Sequence, residues 1–281
     1  MSLPIKKIYV DTKYKSAGSA SNSNFKIDLP ISLSFPENTG FYIDDVCIPH
    51  SWYVIEENVK DKLYFVGGMA TMLWLIVKIE SGNYSGQDLA LEIQTKIRAA
   101  MNIPTQPTLI YATYNTKFNN ISISTLSSEW FFHIMTPADI LSKLNNAWLG
   151  AAYDIYKPND INEVLGNLEG YSLTYGVLKP YNSSFLNLQP IRNIYIHSSL
   201  GNYNTFGARG ETSIIKKIPV TANINEVIFD QVLTSNDFGD CSKQTMRSIT
   251  FELKDVRGNY INFRGADLSF SIVFSKIDVS A

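Results

Sequence analysis

The sequence predicts a mainly β protein: a single jelly-roll β-sandwich of about eight strands that carries a small α/β insertion. Three observations predict it. The closing run from Ser248 to Ile277 alternates with a period of two. Ile249, Phe251 and Leu253 fall opposite Thr250, Glu252 and Lys254, and later Leu268, Phe270, Ile272 and Phe274 alternate with Ser269, Ser271 and Ser275. The same pattern appears near the start, where Phe25, Ile27, Leu29, Ile31, Leu33 and Phe35 share one phase. Helical periodicity is confined to two short stretches in the middle. Many strands, few helices and turns rich in Gly, Asn and Pro argue for a sandwich, and eight long strands favour the jelly roll.

Residues 1–24 read as a flexible N-terminal arm ahead of a jelly-roll domain over 25–281. They are rich in Ser, Gly, Ala and Asn from Asp11 onward, and Lys6, Lys7, Lys13 and Lys15 stand against one aspartate. Such an arm docks on a neighbour or on an anionic interior, and its deletion leaves the isolated fold intact. Pro30 lies on the outer phase of the first long strand, which marks that strand as an edge or as bulged. A turn at Pro36–Gly40 leads to a strand at Phe41–Ile48. Lys62–Ile79 is strand-like, with a hairpin break at Gly67-Gly68.

Ser85 then caps a helix with Asp88 three residues on, and Leu89, Ile93 and Ile97 form its stripe to about Met101. Strands follow at 108–114, 119–125 and 129–135. Thr136-Pro137 opens a second helix, whose apolar stripe is Ile140, Leu141, Leu144 and Trp148. Residues 82–150 form an α/β insertion within the domain, because no polar linker bounds them. After a loop-rich stretch, strands resume at 171–178, 192–198, 212–219 and 226–232 before the final pair. No internal repeat is visible.

Composition narrows the function. The chain has 281 residues, of which 18% are charged, with Asn, Ser, Thr and 16 Tyr in place of the missing charge. Hydroxyls and amides cost less to desolvate than charges do, so such surfaces suit burial against neighbours. A net charge of −2 gives no basic field for nucleic acid. Cys47 and Cys241 make neither a disulfide framework nor a zinc site and read as reduced thiols. The first residues lack a signal-peptide core, and the apolar run at 69–77 is too short to span a bilayer. Synthesis and folding in the cytosol are expected.

No reaction centre emerges, so the chain reads as a non-enzyme without cofactor or metal. His50, His133 and His197 lack metal-ligand neighbours at helical or strand spacing. His133 follows Trp130, Phe131 and Phe132 and reads as part of an aromatic cluster. His197 reads as a hydrogen-bonded structural imidazole. Gly82-Asn83-Tyr84-Ser85-Gly86 lacks the lysine of a phosphate loop and reads as turn and cap. Asp44-Asp45 and Glu56-Glu57 are adjacent on extended chain, so each pair diverges. Trp52, Trp74, Trp130 and Trp148 could stack on sugars, but three of them sit beside other apolar residues, which favours core or subunit contact.

Several segments together carry a resemblance. Tyr9-Val10-Asp11-Thr12 precedes a Ser/Asn arm ending Asn24-Phe25. Asp44-Asp45 leads to Ile48-Pro49-His50-Ser51-Trp52, and Gly82-Asn83-Tyr84 leads to Leu89. Then come Ile194-Tyr195-Ile196-His197-Ser198 and Ile215-Lys216-Lys217-Ile218-Pro219-Val220. Last are Phe251-Glu252-Leu253-Lys254-Asp255, Arg257-Gly258 and Gly265-Ala266-Asp267-Leu268-Ser269-Phe270. In this order along nearly the whole chain, they resemble the penton-type minor capsid proteins of virophages and polinton (Maverick) elements.

The resemblance implies a structural virion protein and a homopentamer at the vertices of an icosahedral capsid. Its implied partners are a double jelly-roll major capsid protein and other minor capsid proteins. It implies no specific nucleic acid, no membrane span and no catalytic residue, with assembly in the host cytoplasm. The candidate interface residues are Lys6, Lys7, Tyr9, Lys13, Tyr14 and Lys15 of the arm, with Ser269 and Ser271 on the outer phase of the last strand. The runner-up is a carbohydrate- or receptor-binding jelly roll, which would show exposed aromatics on a concave face.

Overall fold

The computed structural model describes residues 6–68, 72–102, 110–125, 131–144, 153, 158–167, 180–200, 205–231 and 238–276. In chain order the elements are β1 (Lys6–Asp11), a 3-10 turn (Thr12–Tyr14), β2 (Asn24–Ser34), β3 (Thr39–Pro49), β4 (Lys62–Gly68), β5 (Met72–Lys78) and α1 (Gly86–Ala100). There follow β6 (Tyr111–Asn115), β7 (Asn120–Ser124), β8 (Phe131–Ile134), α2 (Pro137–Leu144), α3 (Asn162–Leu165) and β9 (Tyr181–Asn182). The rest are β10 (Asn193–Ser198), β11 (Ile214–Pro219), β12 (Val227–Asp230), β13 (Gly239–Asp240), β14 (Thr245–Lys254) and β15 (Ser269–Lys276). The strand expected at 171–178 lies outside the described residues, as do Trp130 and Trp148.

The chain forms two compact units, one of residues 1–52 with 191–281 and one of residues 53–190. The first unit is the sandwich. One sheet runs β1-β15-β3-β12, with the short β13 also on β3, and the other runs β11-β10-β14-β2. Apart from β13, successive strands of this unit switch sheets at every connection except β10 to β11. All pairings are antiparallel. Eight strands arranged in this way form the two Greek keys of a jelly roll.

Period-two patterning supplies the core between the sheets. Ile249, Phe251 and Leu253 of β14 face Phe270, Ile272 and Phe274 of β15, all of them buried. The rings interlock: Phe251 lies 5.4 Å from Phe25 and 5.0 Å from Phe270 between centroids, and Phe35 stacks on Phe274 at 4.4 Å. One ion pair enters the core phase. Lys216 Nζ of β11 lies 3.0 Å from Asp230 Oδ2 of β12, both nearly buried, and joins the edge strands of the two sheets.

Pro30 sits where its chemistry requires. β2 is the edge of its sheet, and its register on β14 jumps from Asp28↔Ser248 to Leu33↔Met246. Leu29 to Ser32 therefore bulge out opposite Arg247 alone. A missing N–H costs nothing there.

The arm differs from its sequence expectation. Residues 6–11 form β1, paired with β15 from Lys6↔Phe274 to Asp11↔Ser269, and Val10 enters the core. Thr12 is fully buried. Its hydroxyl accepts from Leu268 N–H at 3.0 Å and donates to Asp267 at 3.0 Å. Ser16 N–H donates to Lys26 O at 2.7 Å, and Asn22 Nδ2 donates to Ala266 O at 2.8 Å. Small polar residues in such a run suggest slack chain. Here they satisfy backbone groups in a folded-back loop, a role the same composition serves equally well.

The second unit is wider than the 82–150 insertion. It takes in the β4–β5 hairpin, because β4 pairs with β8 in a three-stranded sheet, β5-β4-β8. A second sheet, β6-β7-β9, lies in the same unit, and α1 meets it through Gln94, whose Oε1 accepts from Ala112 N–H at 2.9 Å. The order β5-α1-β6-β7-β8-α2 follows the sequence reading. Ser85 caps α1, accepting from Asp88 N–H at 3.1 Å. Thr136 and Asp139 bond each other's backbone N–H at the start of α2, a reciprocal capping box.

Candidate assembly interface

The sequence-predicted residues divide by what the sandwich does with them. β1 is an edge strand, bonded only to β15 among the described residues. Ile8 and Val10 point to the core phase, which leaves Lys7 and Tyr9 on the outer face. Tyr9 is 78% exposed and Tyr14, in the following turn, 84%. Lys6 and Lys13 are exposed as well. Asp11 fixes the turn by accepting from Lys13 N–H at 2.9 Å. Lys7, Tyr9, Lys13 and Tyr14 thus form one basic, aromatic margin, with Lys6 at its end on the phase of Ile8 and Val10.

Lys7 is tied down at that margin. Its Nζ lies 2.5 Å from Asp44 Oδ2 and 5.3 Å from the centre of the Tyr9 ring. The bond to Asp44 raises the lysine above its usual range. The contact spans two strands because β3 bulges: Phe270 pairs with Val46 and Ile272 with Ile43, so Asp44 and Asp45 together face Ser271.

Ser271 corrects the sequence expectation. It is fully buried, and its hydroxyl donates to Asp45 Oδ1, so it is not available to a neighbour. Ser269 is half-buried, opposite Cys47. Lys15 also turns inward, its Nζ donating to Asn22 Oδ1 at 2.8 Å. It lines a polar cleft of about 410 Å³ with Asn22, Arg264 and Asp267.

The opposite margin of the same sheet was missed. Val227 and Phe229 of β12 are 59% and 55% exposed, while Ile228 between them is core. Phe238 is exposed too and meets Tyr42 edge-on at 4.9 Å. The signal was present: Val227-Ile228-Phe229 is apolar on both phases, and a strand at a water-facing edge has no use for that.

The titratable groups read as structural. His50 Nδ1 lies 2.9 Å from Ala222 O, and its ring packs on Trp52 at 4.2 Å. Trp52 is itself buried and offers no sugar platform, and Trp74 packs on the Tyr64, Met135 and Ile140 cluster. His197 Nδ1 lies 2.9 Å from Ser213 Oγ. Burial, then Lys254, lowers His197, and burial lowers His133 against the pull of Asp139. Burial raises the Cys241 thiol to about 12 and also lifts Cys47, so neither is a thiolate near neutral pH. Among the described residues no group of three His, Cys, Asp or Glu could hold a metal ion, and no helix is long and apolar enough to cross a membrane.

No family model matches the chain, and no curated protein matches it. A solved structure does. The chain is similar to the penton protein of mavirus, with a TM-score of 0.51 and 9% identity, over 97% of this chain and 100% of that one. The fold is penton-like. At that identity the likeness speaks for the fold alone, and it extends through both compact units rather than stopping at the sandwich.

Proposed function

We propose that the chain is the subunit of a pentameric vertex in an icosahedral capsid, packed against a double jelly-roll major capsid protein and located in the virion. The observation that carries this reading is the likeness to a penton protein over nearly the full length of both chains. Composition supports it. A ring subunit buries two different lateral faces, because a five-fold contact is heterologous and closes on itself. It also meets the surrounding shell. A surface with little charge and much Tyr, Asn and Ser suits such broad, moderately polar contacts. The role requires no catalytic group and no cofactor.

Native mass measurement tests it. The expected species is five copies of the 31.6 kDa chain, free or in shells assembled with the major capsid protein. Imaging of particles that carry a tagged chain should place the tag at the five-fold vertices. Vertices without the tag would sink the reading.

A further inference from the structure

A five-fold ring needs two unlike surfaces on each subunit, one to give and one to receive. One sheet of the sandwich carries such a pair on its two edges. Among the described residues the exposed charges at the β1 margin are Lys6, where the strand begins, Lys276 beside it on β15, and Lys13, just past its end, with Tyr9 between. Among the described residues of the β12–β13 margin, Asp240 and Glu226 are exposed, with Val227, Phe229 and Phe238 exposed between them, and Lys243 beyond Asp240 is paired with Glu37.

The two ends of the margins differ. Lys6 and Asp240 stand at one end of the sheet but on opposite faces: Lys6 shares the core phase of Phe274 and Phe41, and Asp240 follows Gly239 of that phase and points the other way. Lys13 and Glu226 stand at the other. Lys13 follows Asp11, which pairs with Ser269 and through it with Cys47. Glu226 precedes Val227, which pairs with Pro49. Near the β1 margin, Lys7 is held by Asp44, and Asp11 caps the turn. Inside the β12 margin, Asp230 is taken by Lys216. Among the described residues, the end shared by Lys13 and Glu226 is basic on one edge and acidic on the other, beside Tyr9 and the Val227 and Phe229 stripe respectively.

We infer that the β12 margin, centred on Val227 and Phe229, receives the β1 margin of a second copy of this chain, with Tyr9 over the apolar stripe and Lys13 beside Glu226. The inference rests on the ring reading above and names the surfaces that make the ring. Apolar contact supplies most of the affinity, and the Lys13–Glu226 pair at one end sets the register. The Glu226 carboxylate is held below its ordinary value by hydrogen bonds from Asn223, so this pair survives mild acid.

Cysteine cross-linking tests it in the full chain carrying Cys47→Ser, with Cys241 buried. The variant with both Tyr9→Cys and Phe229→Cys, treated with a short bismaleimide, should give a ladder that ends at five copies. Each single variant alone should stay uncrosslinked, and the two singles mixed should give dimers. Lys13→Cys with Glu226→Cys is a second pair at exposed positions, with the same expected pattern. If native mass shows that the Lys13→Cys, Glu226→Cys variant, which keeps Tyr9 and Phe229, is a pentamer and yet neither pair cross-links, this pairing of surfaces is wrong and the ring reading stands. Single variants that cross-link to themselves would mean a two-fold contact and overturn it. A chain that stays monomeric at every concentration, and is absent from vertices, would remove both.

Discussion

Phe251 has no exposed surface and lies between two other rings, Phe25 and Phe270. Truncating it leaves a cavity that strands from both sheets cannot close. Phe251→Ala should therefore cost about 3–5 kcal/mol, read as a lower urea midpoint at unchanged slope. A loss under about 1 kcal/mol would mean that the sheets slide to fill the gap. The inward position of Phe251 was legible from alternation alone. Ser271 shows the limit of that rule. Its outward phase was read correctly, but outward did not mean exposed, because two aspartates of β3 bulge over it. A bulge is set by pairing with a distant strand, and local sequence carries no mark of it.

At the scale of elements, β1 is the largest departure from the sequence reading. Its six paired residues cover the edge of β15, and Val10 and Thr12 are buried with it. Deleting residues 1–24 should lower the melting temperature and promote aggregation through the bared β15 edge. A truncated chain that melts with the intact one would return the segment to the status of an arm. β10 carries a second expectation. Burial holds His197 below the value of about 6.5 that it has in the unfolded chain, so the unfolded chain takes up the proton first. Stability is then fully present above about pH 6.5 and is lost as pH falls through the depressed native value. His133 has the same sign. Urea melts between pH 7.5 and 5 should show the decline, and His197→Asn should flatten part of it. An identical slope in the variant would clear His197 of the effect.

For the whole molecule, the number of long strands and the jelly-roll class were legible because each strand states its own period. Their order was not, since β1 pairs with the last strand and β3 with the third from last of the long ones. The boundary of the inserted unit was missed for a related reason. Lys62 to Lys78 has the alternation of any strand pair, and only its partner β8 shows which unit owns it. The apolar double phase of Val227-Ile228-Phe229 is readable in the sequence, and both outer side chains are exposed.

The placement of residues 53–190 between β3 and β10 has a consequence for the order of events during synthesis. The first three strands of the sandwich leave the ribosome without most of their partners. At roughly 5–20 residues per second, the ribosome takes on the order of ten seconds to make the interrupting unit. During that wait β1 has no β15 and β2 has no β14. The interrupting unit, whose sheets are wholly its own, can fold at once. The sandwich closes last, and its opening strands are the part of this protein that a nascent-chain chaperone would have to shield.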